Sequence, residues 1–183
     1  GDHKNRTNIW QPKKQSSMMI RNPENSISII RSLLKQPYDC LILANPHIQT
    51  LNEISSELQS LGIAHLNISQ ELSSALMTVS ASERGRFSQG WLKQRIRGLP
   101  EEPVLCSHPD LLCHPSLNLD FYGLIRQMDR SRRLIVLWPG EYTADTLTYA
   151  VPAHHHYRVW KISDSLRVQP KVLICPISAA QGV

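Results

Sequence analysis

Apolar residues recur along this chain in two rhythms, one helical and one typical of short buried strands. Over 22–35, Ile27, Ile30 and Leu34, flanked by Ile29 and Leu33, make one helical face. Asn22 is placed to cap that helix and Pro23 to open it. Pro37 ends it, and YDCLILA (38–44) follows as an apolar run of the kind that forms a strand covered on both faces. After the loop NPHIQT (45–50), Leu51, Ile54, Leu58 and Leu61 share a helical face closed by Gly62. GIAHLNI (62–68) reads as a second strand. Ser69 then reads as the cap of a helix carrying Leu72, Leu76 and Val79, and a longer helix carries Phe87, Trp91 and Ile96 as far as Gly98.

The second half repeats the alternation. PVLCS (103–107) is strand-like, and Leu117, Phe121, Leu124, Ile125 and Met128 make a helical face. RLIVLW (133–138) is the clearest buried strand and stops at Pro139-Gly140. TLTYA (146–150) and YRVWKI (157–162) alternate like an antiparallel pair, and KVLIC (171–175) is a last strand. The pattern predicts a layered α/β domain with a mainly parallel sheet, in which YDCLILA, PVLCS and RLIVLW are neighbours, followed by an antiparallel C-terminal extension. Residues 1–20 are polar, basic and aperiodic and read as an arm, leaving 21–183 as a single domain.

Charge changes this picture only modestly. The net charge of +5 is concentrated in the arm, where Lys4, Arg6, Lys13 and Lys14 face a single Asp2. Such an arm offers phosphate contacts, so a nucleic-acid partner enters as one reading. No apolar run approaches the ~20 residues of a membrane span, and the first residues lack the apolar core of a secretory signal. Cys40, Cys106, Cys113 and Cys175 include no C-x-x-C pair, which argues against a disulfide scaffold or zinc ribbon and suits the cytoplasm.

In open α/β sheets the loop after the first strand is the first place to look for a ligand. Here that loop is Asn45-Pro46-His47-Ile48-Gln49-Thr50. It stands where a phosphate-binding loop would stand, but it has no glycine to let the backbone curl and no lysine to meet a phosphate, and Pro46 removes an N–H donor. Thr50 reads as a helix cap. Cys106 and Cys113 lie near His108 and His114, but pairs so close in sequence form no nucleophile motif. No metal site is expected, His154 and His156 being the nearest to a ligand pair. Arg126, Arg130, Arg132 and Arg133 form a basic cluster that fans out at a strand entrance near the ligand edge, a candidate for phosphate, nucleic acid or an acidic partner.

One stretch is distinctive: LLCHPSLNLDFYGLIRQMDRSRRLIVLWPGEYTADTLTYAVPAHHHYR. Its spaced PSL, LD, R-R, WPG, TYA and YR elements resemble the BrxF-like small P-loop protein family of BREX phage-defence systems. The resemblance covers 103–162 and extends over 38–98. It implies a three-layer P-loop NTPase-like core whose equipment is replaced. Gln49 falls where a phosphate-binding lysine is expected, and Thr50 at the hydroxyl position. Ser107 falls at the magnesium-holding acidic position, with Asp110 at the next. Arg130-Ser131-Arg132 matches a polar segment where a nucleotide-sensing side chain would sit. A serine lacks the carboxylate charge that a hard cation needs. The resemblance therefore implies a degenerate, non-catalytic accessory or scaffold protein, without cofactor, working through protein partners in a prokaryotic defence or DNA-transaction complex. The alternatives are a nucleotide-binding protein that takes ATP and magnesium, and a nucleic-acid-binding module.

Overall fold

The structure, a computed structural model, describes residues 23–128, 132–162 and 172–177. The arm 1–20, the expected cap Asn22 and Arg130 lie outside them. In chain order the helices are α1 (Pro23–Leu34), α2 (Ile48–Ser60), α3 (Ile68–Leu76), α4 (Arg84–Arg97) and α5 (Phe121–Arg126). The strands are β1 (Cys40–Ala44), β2 (Ala64–Asn67), β3 (Val104–Ser107), β4 (Leu134–Trp138), β5 (Tyr142–Thr143), β6 (Thr146–Tyr149), β7 (Arg158–Lys161) and β8 (Val172–Pro176).

Five strands form one parallel sheet in the order β2-β3-β4-β1-β8. β4 lies between β1 and β3, so the three apolar runs expected as neighbours are neighbours. All five residues of β1 and of β4 are buried, because helices cover both faces. Side-chain alternation sorts the core into two layers. Leu41, Leu43, Leu105, Ile135 and Leu137 pack against Ile30 of α1 and Leu51, Ile54 and Leu58 of α2. Ile42, Val104, Cys106, Val136 and Trp138 pack against Leu72 of α3, Leu92 and Ile96 of α4, and Phe121 of α5. The chain runs from β1 to β2 over the α2 face, then returns through β3 and β4 over the other face. Reversing direction and face together keeps each crossover right-handed.

The antiparallel strands form a separate sheet in the order β5-β6-β7. It is an insertion between β4 and β8 rather than a C-terminal extension, since β8 returns to pair with β1. Ala144 and Asp145, both with positive φ (47° and 58°), make the two-residue turn between β5 and β6. Two helix starts also differ from the sequence reading. α2 begins at Ile48, so Thr50 lies in its first turn and the cap position belongs to His47. α3 is capped by Asn67, whose side chain accepts the Gln70 N–H at 3.1 Å, which frees Ser69 for another role. Among the described residues no helix is long and apolar enough to cross a membrane.

Candidate functional site

Helix α2 leaves β1 over one face of the sheet, while the chain leaves the adjacent β4 over the other. Ligands of open α/β sheets sit at such a switch point, beyond the carboxyl ends of the strands. A cleft opens there, lined by Ile48, Leu51 and Asn52 of α2, Leu137 and Pro139 of β4 and its turn, and the segment Ser107–Asp110 after β3. The sequence-predicted residues Ile48, Ser107 and Asp110 are therefore brought together. The enclosed space is ≈ 10 Å³, room for about one water molecule.

The loop beside the cleft is only Asn45-Pro46-His47, and Asn45 organises it. This residue is 2 % exposed. Its side-chain amide donates to the Ile177 carbonyl just past β8, and its Oδ1 accepts the His47 N–H at 2.7 Å. Its backbone N–H donates to Trp138 O at 3.0 Å, and its carbonyl accepts the Gly140 N–H at 3.2 Å. The loop is thereby stitched to the ends of both neighbouring strands. Two of its three residues carry an N–H, and both are spent inside the fold. Gln49 is exposed and meets Glu53 at 3.5 Å. It points along the helix surface, away from a shared site with Ser107.

Ser107, 1 % exposed, sits between two imidazoles. His65 Nε2 lies 2.6 Å and His108 Nδ1 2.9 Å from its Oγ. Burial holds His65 below the ordinary imidazole range, the neighbouring His108 adds to that, and Glu71 opposes it. His108 adopts a left-handed backbone (φ 52°, ψ 60°), uncommon for a non-glycine residue. Ser69 secures it: its N–H (3.0 Å) and its hydroxyl both donate to the His108 carbonyl, and its Oγ accepts the Leu111 N–H at 3.1 Å. Asp110 accepts the Tyr149 hydroxyl at 3.3 Å, binding the inserted sheet to the cleft wall. Sequence reading missed His65. The available signal was its place in β2, two residues before Asn67, whose register partner is Ser107.

This donor set does not fit magnesium-nucleotide chemistry. A hard divalent cation needs oxygen charge, and the β3 end offers a hydroxyl already engaged by two histidines, with the Asp110 carboxylate tied to Tyr149. A triphosphate cradle needs free N–H groups on a pliable loop, and this loop is short and internally bonded.

The remaining candidates lie elsewhere. Arg132 and Arg133 stand at the entrance to β4, the sheet edge opposite the cleft, so the expectation that they border the ligand edge is corrected. Arg132 donates to Pro100 O at 3.4 Å, and Arg133 lies over the Tyr38 ring at 5.5 Å. Arg126 ends α5 and sits 6.0 Å over Tyr122. His154, His155 and His156 lie in a turn rather than on a strand. The His154 and His156 rings meet edge-on at 5.3 Å, and His154 Nδ1 accepts the His156 N–H. Among the described residues no group of three or more His, Cys, Asp or Glu is arranged to hold a metal ion. All four thiols are free, and burial pushes Cys106 up to about 12 and Cys175 to about 11, with Cys40 and Cys113 also raised. Such thiols stay protonated and inert at neutral pH. No protein-family model, no curated protein and no solved structure matches this chain.

Proposed function

We propose that the chain is a degenerate, P-loop NTPase-like accessory or scaffold protein of a prokaryotic, phage-defence type complex, acting in the cytoplasm through protein partners rather than by nucleotide turnover. The strand–loop–helix at β1 and the cleft at the switch point support the P-loop-like part of this reading, since both stand where a phosphate-binding loop would act. The Asn45 clamp carries the degenerate part. The side chain of Asn45 takes the His47 N–H and reaches the residue after β8, its backbone N–H goes to β4, and Ser107 leaves the adjacent strand end without a carboxylate.

A fold kept while its phosphate cradle is closed has value as a surface for other proteins. The test is purification from native cells with and without added ATP, followed by mass spectrometry, beside a phosphate-release assay on the isolated chain. The expected result is a stoichiometric protein partner retained in both conditions, with no phosphate release. Release of phosphate that disappears in Thr50→Ala would overturn the reading in favour of a working nucleotide site.

A further inference from the structure

Ser107 is the last residue of β3 and forms part of the cleft wall at the carboxyl ends of the strands. Its hydroxyl has one proton and meets two imidazoles. The 2.6 Å contact with His65 Nε2 has the length of a hydroxyl donating, and the 2.9 Å contact with His108 Nδ1 that of a ring N–H donating to oxygen. His65 is therefore the acceptor of the Ser107 proton, and His108 the donor that steadies the charge left on Oγ. Burial, above all, keeps the His65 ring below the ordinary imidazole range, so at neutral pH it is free to take a proton. His108 makes its contact from a left-handed backbone (φ 52°) that Ser69 fixes through the His108 carbonyl.

The rest of the cleft defines what such a serine would meet. Asn52 of α2 brings a carboxamide, whose N–H donors suit a developing oxyanion. Ile48, Leu51 and Leu137 give apolar surface. No Lys or Arg lines the cleft, and Asp110 adds negative charge, so the lining suits an uncharged acyl group and disfavours a phosphoryl group. The enclosed space is water-sized, so the acyl group must be short. Ile48, 50 % exposed at the first position of α2, is the side chain that must turn aside to admit it.

We propose that Ser107 is the nucleophile of a short-chain esterase site, with His65 as its general base. Ser107 Oγ forms a bond to the acyl carbon as the ester C–O bond breaks. The Oγ proton passes to His65 Nε2 and from there to the departing alkoxide. Water then attacks the acyl-serine, its proton returns through His65 to Oγ, and the free acid leaves. This inference goes beyond the scaffold role and stands whether or not a partner is found or a nucleotide binds.

The test is a pulse of p-nitrophenyl acetate on the full chain, read by nitrophenol release and by peptide mass spectrometry of the quenched protein. The expected result is a burst of nitrophenol with an acetyl group on Ser107, and slower release from p-nitrophenyl butyrate. The acylation rate should rise with pH through an inflection below 6.5, where His65 loses its proton. His65→Gln should lower that rate about 100-fold or more, and Ser107→Ala should abolish the burst. Ile48→Ala should raise it several-fold and admit butyrate, a gain that a purely structural Ser107 would not give and that needs no Ser107 variant to fold. His154→Ala/His155→Ala/His156→Ala, at a turn outside the cleft, should acetylate Ser107 at the unsubstituted rate. Acetyl groups found only on other residues, a burst that survives Ser107→Ala, or no acetyl-Ser107 even in Ile48→Ala would each overturn the proposal.

Discussion

Asn45 illustrates how much one buried amide decides. It serves partners from three parts of the chain, including Ile177, 132 residues away. Asn45→Ala would leave the buried Ile177 carbonyl and the part-buried His47 N–H short of partners. Each such group costs about 1–3 kcal/mol, so a loss of about 2–6 kcal/mol is expected in urea denaturation. Trp138 is a second decisive residue. It is fully buried, stacks on Phe121 at 5.1 Å, meets Trp160 edge-on at 5.4 Å and donates to Thr148 O at 2.7 Å. Trp138→Ala is expected to cost about 3–5 kcal/mol. His65 supplies a pH dependence. Its folded-state pKa lies below the ordinary imidazole value of 6.5, so below that pH the unfolded chain takes up the proton first. Stability from this group is therefore complete above about 6.5 and declines as pH falls through the lower folded value. Melting temperatures at about pH 7.5 and 5.5 should show the decline, and His65→Gln should make it smaller. An equal decline in the variant would remove His65 from the account.

At the scale of elements, the inserted β5-β6-β7 sheet explains the arrangement of the distinctive stretch from Leu111 to Arg158. Arg158 donates to Leu119 O, Trp160 Nε1 reaches Asp120 at 2.8 Å, and Tyr149 reaches Asp110. Asp120 also caps α5 through the Gly123 N–H at 3.1 Å. These contacts fasten the insertion to the segment before α5, so much of the spaced signature does structural work. Gly140 belongs to the same joint, because a Cβ there would stand 1.8 Å from Thr148 O. Gly140→Ala is expected to lower the melting temperature by several degrees and to raise exposure of the Trp138 ring, seen as a red shift in fluorescence. An unchanged spectrum and melting temperature would show that the joint yields without cost. The strands were legible in the sequence because strands buried on both faces are written as continuous apolar runs. The starts of α2 and α3 were not. His47 caps α2 through its backbone alone, and Asn67 caps α3 from the end of what read as a strand.

At the scale of the whole molecule, the sequence placed the candidate loop at the correct edge of the sheet, since the order of strand, loop and helix is local. It did not reveal that the loop is sealed, because the sealing partners come from β4 and from beyond β8. Of the arginine cluster, Arg126 ends α5 and Arg132 and Arg133 stand just before β4, at the sheet edge away from the cleft. The central proposal is that the candidate site does not support magnesium-nucleotide binding. Isothermal titration calorimetry of the full chain with ATP and magnesium, at low and moderate salt, tests it most directly. The expected result is affinity no better than about millimolar, some 4 kcal/mol of binding free energy, with any residual signal lost as salt rises. Micromolar, salt-resistant binding that is abolished by Thr50→Ala would contradict the account.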